Sequence, residues 1–388
     1  MIVTQTARLR LLLESADGER LVETSRQYAE AFNVAAKAAW DARRINPCEI
    51  HKATYHPLRE RLDLPSQLVI SARMKAIEAA KSARALQKLG RAVSCPKTTA
   101  CGVRFDARTY KLDWETLQVR LTLIGGRLQA SVKDDPHSKQ FRGLPTGSAE
   151  VIRTKKGWFL HVAVHREVEE PASTGKIVGV DRGVRKPAVT SEGLFLGKSE
   201  WRAIEERMLS LRRRLQAKGT RSAKRKYKLL GNRLERFRRD CDHVLSRRMV
   251  ESCKPGDTLV FEDLTHIRSR VQARGKAARR RMHAWSFHRL GGMVEYKAAL
   301  RGVKVATVDP RDTSRRCPAC ETIDKRNRPD QAHFACIHCG YTRNSDLVAS
   351  WNIRDRHQGL WAPAPRVPGR INGPNAGAHS TAPANSGL

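Results

Sequence analysis

The chain has 388 residues, and 40% of them are apolar, which is enough to build the cores of two or three domains. It carries 74 lysine and arginine residues against 39 aspartate and glutamate residues, a formal net charge of +35. A folded protein this basic repels itself unless a polyanion lies nearby, and nucleic acid is the usual polyanion. The charge alone does not separate a nuclease from a general nucleic-acid-binding protein or a surface adapted for solubility.

Targeting and membrane-spanning patterns are not expected in this sequence. The first residues hold only a short apolar run, and no stretch reaches about 18 apolar residues. The nine cysteines are an odd number, and four of them form two C-x-x-C pairs. This usage fits a metal site in a reducing compartment better than a disulfide framework.

The N-terminal part of the chain is predicted to be helical after a short first element. Residues 7–13, ARLRLLL, fit either a strand or the start of a helix. Apolar residues at helical spacing predict a helix over residues 22–45, and a segment with Pro, His and Asn predicts a break around 46–57. A second helix is expected from Ser66, a suitable N-cap, to Leu89.

The apolar period then changes from that of a helix to that of a strand. Apolar and polar residues alternate over 117–123 and again over 128–132, with Gly125 and Gly126 between them, which predicts a hairpin. A second hairpin is predicted over 151–164, with its turn at Lys155-Lys156-Gly157. Residues from about 95 to 170 are therefore expected to be mostly antiparallel β structure.

The second half of the chain has an α/β pattern. Three buried strands are predicted at KIVGVD (176–181), DTLVFED (257–263) and VKVATV (303–308). Two antiparallel helices, broken near Gly219, are expected between the first two strands. From about His357 the chain is rich in Pro, Gly, Ala and Asn, and we expect this tail to be disordered.

Two C-x-x-C pairs predict a zinc site. Cys317 and Cys320 are separated by 15 residues from Cys336 and Cys339, a spacing typical of zinc ribbons. Four thiolates complete a tetrahedral shell with Zn–S distances of about 2.3 Å, so the zinc is expected to be structural. His333 and His338 lie close by; either could replace a cysteine as a ligand, but with four cysteines available we expect both to be neighbours of the site. The remaining cysteines have no ligand spacing.

Three acidic residues are candidates for a second metal site. Asp181 and Glu262 end predicted buried strands, and Asp346 lies where NSDLVASWNI should start a helix. Each one alone is more often a turn residue or a helix cap. Together they can converge at one edge of a sheet, where buried like charges need a cation. Magnesium suits such oxygen ligands, and two ions about 3.5–4 Å apart would clamp a phosphodiester during hydrolysis.

Several segments of the second half resemble a known family, the TnpB proteins encoded by insertion sequences. GVDRGVRKPAVTSEG resembles the first RuvC motif of that family, LVFEDLTHI the second, and FACIHCGYTRNSDLVASWNI the second cysteine knuckle with the third motif. The similarity is specific over about residues 175–355, and the N-terminal half is similar only in layout. Four positions depart from the usual pattern, namely Arg182, Asp312, Glu321 and Ser345, the last of which stands where Arg is usual.

The resemblance implies an α+β multidomain fold. It implies that Asp181, Glu262 and Asp346 form the magnesium-binding catalytic triad of a RuvC-like endodeoxyribonuclease, related to the small type V CRISPR effectors. The implied domains are a β-barrel wedge domain (1–20 and 92–172), an inserted helical recognition domain (21–91), an RNase H-like RuvC domain (173–312 and 343–356), an inserted zinc ribbon (313–342) and a disordered tail (357–388).

The resemblance also implies nucleic-acid partners: a guide RNA and a double-stranded target with a short flanking motif. Residues 201–240 carry 15 Lys or Arg and four Asp or Glu, and residues 264–290 carry no acid. The first segment is expected to hold nucleic-acid backbone, and the second is either a lid over the catalytic edge or a flexible basic linker. The residues expected to contact nucleic acid are Arg212, Arg213, Arg214, Lys224, Arg225, Lys226, Arg268, Arg279, Arg280 and Arg281.

Other functions are open at this point. An RNA-guided DNA binder with a silent nuclease, acting as a repressor, is disfavoured because all three acids are present. A CRISPR type V effector would share the same fold. A zinc-ribbon transcription factor would leave the strand-end acids unexplained. A transposase that joins DNA ends itself is disfavoured, because the sequence shows no tyrosine or serine constellation for covalent joining. We expect a monomer on one RNA, in the cytoplasm of a prokaryote and near the nucleoid, without membrane association.

Overall fold

The computed structural model describes residues 1–183, 186–265, 275 and 287–362. The chain divides into two compact units, Met1–Glu169 and Glu170–Leu388. None of the described helices combines the length and the apolar character needed to cross a bilayer. The helices are α1 (Ser15–Asp41), α2 (Pro47–Arg61), α3 (Ser66–Lys88), α4 (Pro136–Lys139), α5 (Ser199–Lys218), α6 (Arg221–Glu251), α7 (Phe287–Leu300) and α8 (Ser345–His357).

The strands form three sheets. They are β1 (Ile2–Leu12), β2 (Val103–Phe105), β3 (Tyr110–Asp113), β4 (Gln118–Leu123), β5 (Gly126–Val132), β6 (Thr146–Thr154), β7 (Gly157–Glu167), β8 (Ile177–Asp181), β9 (Ala188–Thr190), β10 (Phe195–Leu196), β11 (Thr258–Glu262), β12 (Lys304–Val308), β13 (His333–Ala335) and β14 (Thr342–Asn344).

The first unit is built on a seven-stranded sheet in the order β2-β6-β7-β1-β5-β4-β3, with antiparallel pairing throughout. Both predicted hairpins are confirmed, as β4–β5 and β6–β7. The apolar face of the sheet packs with side chains of α1, α2 and α3 in one core, because every second strand residue points to the same face. The strands of the expected barrel are thus paired in one sheet, and the barrel itself stays a prediction.

The predicted break at 46–57 is wrong, because α2 occupies most of that segment. Asn46 caps the helix by accepting a hydrogen bond from the Cys48 N–H at 3.0 Å. Pro47 then stands in the first turn, where a proline lacks only an N–H that would have no helical partner. Helix α1 begins at Ser15, earlier than predicted, and Pro65 rather than Ser66 precedes α3 as its cap.

The second unit contains a five-stranded sheet in the order β10-β9-β8-β11-β12. Strands β8, β11 and β12 are parallel, which confirms the three predicted strands, and β9 and β10 add antiparallel pairs at one side. Buried residues of β8 and β11 pack against α6 and α7, as Val180, Phe261, Met249 and Val294 illustrate. This packing explains why the parallel strands are almost continuously apolar.

The predicted pair of basic helices is confirmed as α5 and α6. Gly219 ends α5 with a φ of 65°, and the Thr220 side chain caps α6 by accepting from the Ala223 N–H at 3.2 Å. No residue of α5 is fully buried. Helix α6 is tied to α7 by Arg289, whose Nε lies 2.6 Å from Asp242 Oδ2.

The ordered chain continues beyond the predicted start of the tail at residue 357. The Trp361 indole N–H donates to the Asn352 carbonyl at 2.9 Å, and its ring lies 3.6 Å from the Arg356 guanidinium carbon. A large aromatic ring that covers a buried arginine gains enough contact area to stay ordered. The predicted disorder of residues 363–388 lies outside the described residues.

Candidate active site and cysteine ribbon

Two carboxylates meet at the carboxyl edge of the second sheet. Val180 of β8 is the register partner of Phe261 on the parallel strand β11, so Asp181 and Glu262 follow side by side. Both residues are partly buried. Parallel strands place the residues at their carboxyl ends on one edge, where open α/β sheets bind their ligands. The strand ends therefore bring together two of the three predicted acids.

Helix α8 brings the third acid, Asp346, close to the same edge. A Cβ atom on Gly179 of β8 would lie 2.1 Å from the Ser350 carbonyl oxygen, so only glycine lets α8 cross the strand this closely. Asn344 caps the helix by accepting from the N–H groups of Asp346 and Leu347, each at 3.1 Å. Asp346 thus stands in the first helical turn, where the helix dipole favours a negative charge.

The three carboxyl groups interact electrostatically. Burial raises the pKa of Asp181 well above its usual value, and the charges of Glu262 and Asp346 raise it further. Burial also raises the pKa of Glu262 and that of Asp346. Their oxygens do not all lie within 4.8 Å of one another, unlike the four cysteine sulfurs. Three neighbouring buried carboxyl groups can all be ionised when a divalent cation offsets their charge. Carboxylate oxygens are ligands that magnesium prefers, so the residues present fit a magnesium site.

Two arginines lie beside the carboxylates, and no sequence pattern predicts this position for either of them. Arg328 Nη2 is 3.5 Å from Asp346 Oδ1, and its charge lowers the pKa of that carboxyl against the effect of burial. Arg182 is 9% exposed and donates from Nη2 to the Glu262 carbonyl at 2.6 Å. Ser345 is uncharged and stands where the family pattern usually has an arginine. An arginine nevertheless lies near Asp346, because the ribbon supplies Arg328.

A hydroxyl group also contacts the site. Thr313 donates a hydrogen bond from Oγ1 to Glu262 Oε1. The two residues are separated by 51 positions in the chain, so no local spacing predicts the contact. Other acids near the edge have ordinary roles, since Asp263 accepts from the Thr265 N–H at 2.9 Å in a turn.

The four predicted cysteine ligands come together in the ribbon, residues 313–342. Their sulfurs all lie within 4.8 Å of one another, with Cys317–Cys339 at 3.7 Å and Cys320–Cys336 at 3.5 Å. A tetrahedral zinc with Zn–S bonds of about 2.3 Å has S–S edges of about 3.8 Å, so the cluster has the right size. Thr322, whose hydroxyl is 3.3 Å from Cys320 Sγ, lowers the pKa of that thiol to about 5.

The neighbouring histidines stand outside this cluster. His333 Nδ1 lies 2.7 Å from Asp330 Oδ2, and neither His333 nor His338 belongs to the group of converging ligands. The cysteines predicted to have no ligand role are free thiols, and none of them joins the converging group: Cys48, Cys95, Cys101, Cys241 and Cys253. Four sulfurs and no histidine therefore make the predicted ligand set.

The predicted nucleic-acid contacts fall into three groups. Arg213, Arg214, Lys224, Arg225 and Lys226 are exposed around the α5–α6 turn. Arg212 differs, because its guanidinium carbon lies 4.3 Å from the Tyr227 ring centre, so it packs α5 on α6. The predicted contacts at Arg268, Arg279, Arg280 and Arg281 lie outside the described residues, as does most of the segment 264–290, which was expected to be a lid or a flexible linker. The last residues of that segment belong to α7.

Two family models match separate parts of the chain. Residues 160–266 match a family described as probable transposase. Residues 287–353 match a family described as Cas12f1-like, TNB domain. The first range contains Asp181 and Glu262, and the second contains the four ribbon cysteines and Asp346.

Curated proteins match over parts of the chain. A CRISPR-associated endodeoxyribonuclease Cas12f1 of Sulfoacidibacillus thermotolerans is 33% identical over 51% of this chain and 50% of its own length. A TnpB-like protein of Methanocaldococcus jannaschii is 34% identical over 30% of this chain and 41% of its own length. A putative transposase of the same organism is 31% identical over 22% of this chain and 84% of its own length. The chain spans about half the length of the first two relatives.

A solved structure supports the fold. The chain is similar to one in the cryo-EM structure of a Cas12f1–sgRNA–target DNA complex, with a TM-score of 0.62. The match covers 88% of this chain and 83% of that chain at 16% identity. The expected α+β fold is therefore confirmed at the level of overall architecture.

Proposed function

This chain belongs to the TnpB family, and on that premise we propose that it is an RNA-guided, metal-dependent DNA endonuclease with a RuvC-like centre. The observation that carries the proposal is the convergence of Asp181, Glu262 and Asp346 at the carboxyl edge of the second sheet. The order of that sheet, with hairpin strands β8 to β10 followed by the parallel strands β11 and β12, supports an RNase H-like nuclease domain.

The residues of the site divide the chemical work. In this proposal Asp181 and Asp346 would hold the metal, and Glu262 would complete the ligand set and help to orient the attacking water. Magnesium, when bound, supplies the positive charge that stabilises phosphodiester hydrolysis. The positive charges of Arg328 and Arg182 lower the pKa values of Asp181 and Glu262 and so partly offset the negative charge of this donor set.

The ribbon has a structural role in this proposal. Cys317, Cys320, Cys336 and Cys339, whose sulfurs converge, would hold one zinc ion, and four thiolates would complete its tetrahedral shell. Because no ligand position remains open, the ion takes no part in hydrolysis. Its contribution is to fold the ribbon, which carries Arg328 to Asp346.

The partners follow from the charge and the family. Relatives bear the names TnpB-like protein and CRISPR-associated endodeoxyribonuclease, and a similar structure is a complex with sgRNA and target DNA. We propose a guide RNA and a double-stranded DNA target beside a short flanking motif as the partners of this chain, bound as a monomer in a prokaryotic cytoplasm. The exposed cations around the α5–α6 turn would contact nucleic-acid backbone. The wedge, recognition, RuvC and ribbon boundaries given above belong to the same proposal.

The test begins with the protein purified together with its bound RNA. Cleavage of a plasmid library with randomised flanks is measured in magnesium and in EDTA, for the wild type and for Asp181→Ala. We expect magnesium-dependent cleavage beside one flanking motif, lost in Asp181→Ala while the RNA stays bound. Cys48→Ser, in the exposed N-terminal turn of α2, is the control and should cleave like the wild type.

Two results would contradict the proposal. Target binding by the wild type without cleavage would indicate a guided repressor with a silent nuclease. The absence of any bound RNA would remove the guided mechanism altogether. Zinc content, measured in the same samples, should be about one ion per chain in the wild type and should fall in Cys336→Ser.

A further inference from the structure

Among the described residues, one side chain fixes the orientation of the Glu262 carboxylate by a hydrogen bond. Thr313 is the one described residue whose side chain donates a hydrogen bond to the Glu262 carboxylate. Its Oγ1 also lies 2.9 Å from the Pro310 carbonyl oxygen, so two acceptors compete for a single hydroxyl proton. Thr313 itself is 1% exposed, so water does not replace it easily.

A buried amide fixes Thr313 from behind. Asn352 Nδ2 donates to the Thr313 carbonyl and to the Arg316 carbonyl, each at 2.8 Å. Its Oδ1 accepts from Arg316 Nη1 at 3.2 Å. Asn352 is fully buried, and three hydrogen bonds leave its amide little freedom to rotate. These hydrogen bonds hold the segment from Thr313 to Arg316, at the start of the ribbon, against α8.

Helix α8 connects the hydrogen bonds of Asn352 to the rest of the site. Asp346 lies in the first turn of α8, and Asn352 lies on the same helix. A rigid helix therefore sets the position of Asp346 directly and that of Glu262 through Thr313. Chains of buried, fully satisfied hydrogen bonds are a common means of fixing a functional group to a scaffold.

We propose that Thr313 and Asn352 are positioning residues for Glu262, and that they couple the folding of the ribbon to the geometry of the nuclease site. This inference rests on the proposed function. Thr313 orients the carboxylate by holding Oε1, and Asn352 orients Thr313 by holding its backbone. Neither residue touches the substrate in this scheme. Displacement of a catalytic group by about 1 Å can cost about 100-fold in rate, so a single hydrogen bond is sufficient to matter.

A purely structural role makes a different prediction. If Thr313 only donated to Pro310 in a turn, its loss would lower the melting temperature and leave the metal site unchanged. If it positions Glu262, its loss changes the rate and the metal requirement at nearly constant stability. The two roles are separated by substitutions that keep or remove the hydroxyl without changing the shape of the side chain.

The experiment compares Thr313→Val, which removes the hydroxyl, with Thr313→Ser, which keeps it. Asn352→Asp removes the two amide donors at constant shape. Thr54→Val is the matched control, because Thr54 is also buried and its hydroxyl donates only to the Ile50 carbonyl in α2. Single-turnover cleavage by the RNA-loaded protein, its magnesium dependence and its melting temperature are measured for each variant.

We expect Thr313→Val and Asn352→Asp to cleave about 10–100-fold more slowly than the wild type and to need more magnesium. Thr313→Ser should restore the rate to within a few-fold, and Thr54→Val should match the wild type. Wild-type cleavage by Thr313→Val would overturn the proposal. So would a Thr313→Ser protein as slow as Thr313→Val.

A second readout separates this inference from the proposed function. Calorimetric titration with Mn²⁺ measures the metal site without DNA cleavage, with Glu262→Gln as the reference for a lost ligand. Weaker Mn²⁺ binding in Thr313→Val than in Thr313→Ser supports positioning even if the wild type does not cleave DNA. Equal Mn²⁺ binding in wild type, Thr313→Val and Thr313→Ser refutes it, whatever the protein cleaves.

Discussion

At the scale of single residues, the protonation of Asp181 links the site to stability. Burial and two neighbouring carboxyl groups raise its pKa, so the metal-free native state holds the proton more tightly than the unfolded chain does. That stabilisation is complete below the ordinary aspartate pKa of about 3.9 and is lost as the pH rises through the raised value. Above this window, the native protein carries a buried charge that only a cation can compensate.

Asp181→Asn should therefore stabilise the metal-free protein at pH 8. In EDTA we expect the variant to have a higher melting temperature than the wild type. This difference should become smaller as the pH falls toward about 4. Magnesium should raise the melting temperature of the wild type and have less effect on the variant. A gap independent of pH, measured by thermal unfolding across this range, would contradict the role assigned to the carboxyl.

Gly179 is the residue on which the approach of α8 depends. Its missing Cβ leaves room for the backbone of Ser350 and Arg354, so Gly179→Ala should force the helix away from β8. We expect a loss of about 1–3 kcal/mol in the free energy of unfolding, measured in denaturant, together with loss of cleavage. Gly292→Ala in α7 is the control, since no atom of the described residues, apart from the neighbouring backbone of α7, lies within 4 Å of the added Cβ and alanine favours the helix. Equal stability of the two variants would show that α8 does not rest on this contact.

At the scale of elements, the α5–α6 hairpin combines a rigid base with a charged tip. Arg238 Nε contacts Glu205 Oε1 at 2.9 Å, and Arg212 stacks on Tyr227, so part of its positive charge is used to join the helices. The exposed cations at the turn are not described in contacts that join α5 to α6. Their distribution therefore separates cations that hold the hairpin together from those available to phosphate groups.

Replacing Lys224, Arg225 and Lys226 together by Gln should weaken RNA binding and reduce its dependence on salt. If each cation neutralises one phosphate, the slope of log affinity against log salt falls by about 2–3. Fluorescence anisotropy over a range of salt concentrations measures this slope. The control exchanges Lys and Arg at the same three positions, which keeps the charge and should keep the slope. An unchanged slope in the Gln variant would place the RNA elsewhere.

At the scale of the whole molecule, the chain consists of two units with separate cores. The first core joins the seven-stranded sheet to α1, α2 and α3, and the second joins the parallel strands to α6 and α7. Between β7 and β8, residues 168–176 form neither helix nor strand, and Glu169 and Glu170 are exposed. Such a connection is the expected boundary between independently packed units.

A glutamate-specific protease should cut first at this connection. We expect two fragments that separate near residue 170 and resist further digestion, because most other glutamates lie within helices and strands. Mass spectrometry of a time course identifies the sites. The basic segment 266–286 and the tail 363–388 contain no glutamate, so this protease does not produce fragments by cutting within them. First cuts inside the sheets would contradict the division into two units.

The amino-acid sequence by itself determined the features that depend on short-range periodicity. Alternating apolar residues predicted the two hairpins, apolar runs ending in Asp181 and Glu262 predicted adjacent strands, and paired cysteines predicted the ribbon cluster. Each is a local pattern imposed by the geometry of a strand, a helix or a tetrahedral ion. The predicted break at 46–57 was wrong, because a proline in the first turn of a helix cannot be told from a proline in a loop by its position in the sequence.

Only the tertiary structure decided which distant side chains complete the site. Thr313 reaches Glu262 across 51 positions, and Arg328 reaches Asp346 across 18, without any spacing that marks either pair. Arg212 and Trp361 likewise belong to packing contacts that their surroundings in the sequence do not announce. The physical reason is that local periodicity fixes which face of an element is buried, whereas contacts between elements depend on how their faces pack in three dimensions.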